Sequence, residues 1–78
     1  MYEFTEKQLK DLAYFQKNVM SFMSDDALRF RHLLISGEKI IKAFDGLDQA
    51  ADYAVLHYEK GEYIIEQVID ENEIVNFM

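Results

Sequence analysis

The chain has 78 residues, half of them apolar, with six phenylalanines, five tyrosines and neither cysteine nor proline. That is one domain without disulfides or thiolate metal sites to brace it, and a chain this short buries only about 60% of its unfolded surface. The formal charge is −7, carried by the C-terminal part: residues 46–78 hold Asp48, Asp52, Glu59, Glu62, Glu66, Asp70, Glu71 and Glu73 against Lys60 alone, while acids and bases cancel over residues 1–45.

This balance excludes several roles. The cluster of Lys and Arg that neutralises phosphates is missing, so direct nucleic-acid binding is disfavoured. No apolar run approaches the roughly 18 residues of a membrane span. The opening MYEFTEKQLK lacks the layout of a secretion signal, which reads as a cytoplasmic protein.

In chain order, Thr5 and Gln8 form a capping-box signature, so a helix is expected over 6–24. Its apolar arc holds Leu9, Leu12, Ala13, Phe15, Val19, Met20, Phe22 and Met23, with Gln16 inside the arc and Tyr14 outside. Ser24-Asp25-Asp26 is the connecting turn. Residues 28–36 and 39–45 read as a hairpin around Ser36-Gly37-Glu38, and Leu33-Leu34-Ile35 suits a central strand. A second helix follows over 47–60, with Asp48 in its first turn and Leu47, Ala50, Ala51, Ala54 and Tyr58 on one face. Strands are expected at 63–70 and 74–78. The whole is an α+β domain spanning 1–78, an N-terminal amphipathic helix followed by β-β-α-β-β, with one mainly antiparallel sheet in the order 2-1-3-4. The crossover from the second to the third strand should be right-handed.

The segments LLISGEKIIKAFDG, LDQAADYAVLHYEKG, EYIIEQVID and EIVNF, from about Leu34 to Phe77, resemble a small bacterial β-β-α-β-β domain for which no activity is known. The resemblance implies the fold of that unit, leaves the N-terminal helix unexplained, and carries over no functional residue. Gly46 stands where that domain usually has a Ser or Thr cap.

Strand alternation places Tyr63, Ile65, Gln67 and Ile69 on one face of the third strand and Glu62, Ile64, Glu66, Val68 and Asp70 on the other. Arg29 and Arg31 are expected across from Glu66 and Asp70. Leu33, Ile35, Ile64 and Val68 would make an apolar sheet face, to be covered by the first helix or by a second subunit. Leu56, on the far side of the second helix, adds weight to a contact between copies. His32, alternating with Phe30 and Leu34, reads as a core histidine. His57 lies near Glu59 and Glu62, without the spacing of a metal site.

Catalysis has no foothold: there is no cysteine, no phosphate-binding glycine loop and no nucleophile elbow, so no enzyme, cofactor or metal is expected. The expected function is a small acidic protein–protein interaction module with a basic protein partner. Glu62, Tyr63, Ile64, Glu66, Val68, Asp70, Glu71 and Glu73 would meet that partner, with self-association through Leu33, Ile35 and Leu56. The alternative is a phage- or mobile-element-type inhibitor, of the anti-CRISPR or anti-restriction kind, that blocks a basic nucleic-acid-binding groove by charge mimicry.

Overall fold

The structure, a computed structural model, describes residues 4–69; the expected last strand, residues 74–78, lies outside them. Helix α1 spans Glu6–Met23, and both halves of its capping box are made. Thr5 Oγ1 accepts from the Gln8 backbone N–H at 3.1 Å, and Gln8 Oε1 accepts from the Thr5 N–H at 2.9 Å. The strands are β1 (His32–Ile35), β2 (Ile40–Phe44) and β3 (Ile64–Gln67), with helix α2 (Leu47–His57) between β2 and β3. They form an antiparallel sheet in the order β2-β1-β3, which is the α+β architecture expected, with the apolar first strand central.

The helices lie on opposite faces of this sheet. Phe15, Val19 and Phe22 of α1 pack on Leu33, Ile35, Ile64 and Val68, while Ala50 and Ala54 of α2 pack on Leu34 and Phe44. A strand covered on both sides reads as a continuous apolar run, and Leu33, Leu34 and Ile35 are each fully buried.

Several boundaries differ from the sequence reading. β1 begins at His32, not Leu28, because Asp25 organises the preceding chain into successive turns. Its carboxylate accepts from the Ala27 N–H, and its carbonyl accepts from the N–H groups of Leu28 and Arg29. α2 stops at His57, where Tyr58 turns extended.

The buried stripe of α1 is also shifted. It runs through Gln8, Asp11, Phe15, Val19 and Phe22, leaving Leu9, Ala13, Gln16 and Met20 exposed. Tyr14, expected outside, is half-buried with its ring 6.1 Å from that of Phe22. The cause is polar. Gln8 Nε2 donates to the Tyr63 carbonyl at 3.1 Å, and Asp11 Oδ1 accepts from the Glu38 N–H at 2.8 Å. Lys7 Nζ donates to Ser36 Oγ and to the Glu62 carbonyl, both at 2.7 Å. Partly shielded backbone groups of Tyr63 and Glu38 are thereby given partners, and a typical bond of this kind contributes about 0.5–1.5 kcal/mol. The hairpin turn that Asp11 holds has Gly37 at φ 65° and Glu38 at φ 57°. Two successive left-handed residues match the twist of the flanking strands, but a glutamate tolerates that conformation poorly without such support.

Candidate functional site

The residues expected to meet a partner do not share a surface. Ile64 and Val68 belong to the core under α1, and Tyr63 is half-buried against the α2 layer. Leu33 and Ile35, expected to mediate self-association, are fully buried beneath Phe15, Val19 and Phe22. The first helix covers the apolar sheet face, so that face is no contact between copies. Asp70, Glu71 and Glu73 lie outside the described residues. Arg29 and Arg31 pair with Asp26 at 2.6 Å and Asp45 at 3.2 Å, not with Glu66, because the register sets Glu66 opposite Leu33 while the Arg31 carbonyl accepts from the Val68 N–H further along.

What remains open lies on α2 and beside it. Leu56 and Val55 are 79% and 71% exposed, and Leu47 is 56% exposed at the start of the helix. The alanines face inward so that the helix can lie close on the sheet, which forces the two larger aliphatics outward. Asp48 and Asp52 occupy the same outer side, one helical turn apart, and Glu59 and Glu62 follow in the exposed chain beyond the helix. Among the described residues the ion pairs are those of Arg29 and Arg31, so Asp48, Asp52, Glu59, Glu62 and Glu66 are unneutralised. Leu56 was legible in the sequence as outward-facing. Val55 was missed, although its place next to Leu56 on a helix with an alanine inner face was the available signal.

Two concavities flank Val55. A cleft of about 660 Å³ is lined by Val55, Tyr58, Tyr63 and Ile65, with Lys60 and Glu66 as its charged residues. A shallower depression of about 430 Å³ runs past Leu56, His57, Glu59 and Glu62. His57 stacks on Tyr53 with ring centroids 4.2 Å apart. His32 is half-buried opposite Phe44 and Gln67, with its Nδ1 buried and unpartnered. Among the described residues no group of three or more His, Cys, Asp or Glu is placed to hold a metal ion. No helix there is long and apolar enough to cross a membrane.

Glu66 differs from the other carboxylates. It is half-buried on the α1 side of β3, in a groove with Leu12, Phe15, Gln16 and Val19, and burial raises its pKa above the ordinary value of 4.5. A raised folded-state pKa means that the folded chain keeps this proton to higher pH than the unfolded chain does. The associated stability is therefore present at low pH and is lost as pH rises from the ordinary carboxylate range through the folded-state pKa. Glu66→Gln should be more stable than the parent at neutral pH, and the gap should close below about pH 4. Urea midpoints at the two pH values check this, and a gap independent of pH contradicts it.

The chain matches no protein-family model, no curated protein and no solved structure.

Proposed function

We propose that this protein is a small, non-catalytic interaction module of the cytoplasm that docks a basic protein partner on the outer face of α2. The observation that carries the reading is the exposure of Leu56 and Val55 among carboxylates without counter-ions. A few well-packed, desolvated residues at the centre of a contact supply most of its energy, and surrounding charges set partner choice and encounter rate. The acidic residues beyond the described part add to the same negative field by sequence. An inhibitor of phage or mobile-element type, set against the basic nucleic-acid groove of a host enzyme, is a narrower form of this proposal. It is supported by five unneutralised carboxylates against Lys60 over residues 46–69.

Leu56→Arg is the direct test, because the exposed site tolerates the change without loss of fold. Capture from host lysate should be run with parent and variant in parallel, at low and high salt. The expected result is a prey that high salt releases and that the variant binds at least about 30-fold more weakly, as for the loss of a contact worth 2 kcal/mol. A prey held equally by both proteins overturns the reading.

A further inference from the structure

We propose that the cleft beside Val55 is the anchor site of this docking surface, taking one bulky apolar side chain from a partner segment whose flanking residues are Lys or Arg. The inference rests on the docking reading above and adds the chemistry of the occupant. Three features of the cleft and its surroundings point to that occupant.

First, the lining is suited to an apolar body. Val55, Tyr58, Tyr63 and Ile65 present aliphatic and aromatic surface. Its volume of about 660 Å³ falls within the 300–1,000 Å³ range of sites that enclose small groups. Second, the cleft is continuous with the acidic face. Val55 lines both the cleft and the depression that holds Leu56, Glu59 and Glu62, so a segment lying across Val55 reaches both. Third, the charges around these two concavities are unbalanced. Glu59, Glu62 and Glu66 line them against Lys60, with the Lys7 ammonium held on the Glu62 carbonyl as the second cation nearby, and none of the three carboxylates is ion-paired.

The same charges argue against a second copy as occupant. A two-fold contact uses the same patch on both chains, which would bring the acidic set of Asp52, Glu59 and Glu62 of one chain against the same acidic set of the other. Like charges so juxtaposed cost several kcal/mol, whereas guanidinium groups in those positions are attracted. The aliphatic anchor supplies contact area, and the basic flanks supply orientation across Val55.

The test is a titration of the ¹⁵N-labelled full chain with three blocked pentapeptides: a phenylalanine between pairs of arginines (RRFRR), the same peptide with glycine at the centre (RRGRR), and a phenylalanine between pairs of glutamates (EEFEE). RRFRR should shift the amide signals of Val55, Tyr58 and Ile65 at low salt. RRGRR should do so at least ten times more weakly, and EEFEE not at all. Val55→Lys, an exposed change whose fold is checked by its melting curve, should weaken RRFRR binding tenfold or more. Equal binding of RRFRR and RRGRR on the outer face of α2, with the cleft signals unmoved, overturns the anchor site while leaving the docking reading intact. No shift on either surface overturns both. A concentration-dependent doubling of mass that Val55→Lys abolishes assigns the cleft to a second copy and overturns the proposal.

Discussion

Leu33→Lys is expected to unfold the chain, not to release a monomer from a dimer. Leu33 has no solvent exposure and lies between the central strand and the Phe15, Val19 and Phe22 side chains of α1. Shortening the apolar contact alone would cost about 2–5 kcal/mol, as large-to-small changes in a core do. An ammonium in that position would have Glu66 as its cross-strand neighbour, but desolvating the charge costs several kcal/mol that pairing with one half-buried carboxylate repays only in part. A domain of this length has a total stability of roughly 4–12 kcal/mol, so the sum consumes most or all of it. Far-UV circular dichroism and the dispersion of amide signals read the outcome. A well-dispersed spectrum with half the parent's mass would instead place Leu33 on a surface between copies.

Ala54→Leu should have the second-largest effect on the fold. Ala50 and Ala54 are fully buried against Leu34 and Phe44, and their small side chains let α2 approach the sheet closely. Three added carbon atoms at Ala54 have no free volume to occupy, so the helix must lift or its neighbours must leave their rotamers. Overpacking of this kind costs about 1–3 kcal/mol. For a domain of 60–100 residues each kcal/mol lowers the melting temperature by about 4–8 °C, so a fall of roughly 10 °C is expected. The control is Leu56→Ala two residues later, where exposure predicts a change within about 0.5 kcal/mol. A melting temperature lowered equally by both variants would contradict the inward and outward assignment of α2, and with it the docking surface.

Much of the scaffold was legible in the residues themselves. Thr5 with Gln8 marked the start of α1, and Leu33-Leu34-Ile35 marked a strand covered on two sides. Ala50 and Ala54 marked the face that α2 lays on the sheet. Strand alternation also separated Tyr63 and Ile65 from Ile64 correctly. The ends of the elements were less legible, because they depend on bonds to distant chain. Asp25 gathers residues 25–29 into turns that shorten β1, and nothing in that local pattern outweighs the apolar and aromatic residues from Leu28 onward. The proposed contact residues failed for a related reason. Alternation says which side chains share a face, but not which face a helix will cover.

The local pattern of apolar, capping and turn residues determined the type and order of the elements, since each follows from short-range periodicity and backbone preference. Only the tertiary structure decided that the two helices would lie on opposite faces, which removes Leu33, Ile35, Ile64 and Val68 from the surface and leaves Val55 and Leu56 on it. It also decided the roll of α1. Bonds from Gln8 and Asp11 to the carbonyl of Tyr63 and the N–H of Glu38 reach across 55 and 27 residues of chain. A hydrophobic wheel counts only apolar side chains, and the pairing of side-chain polar groups with distant backbone is a property of the folded whole.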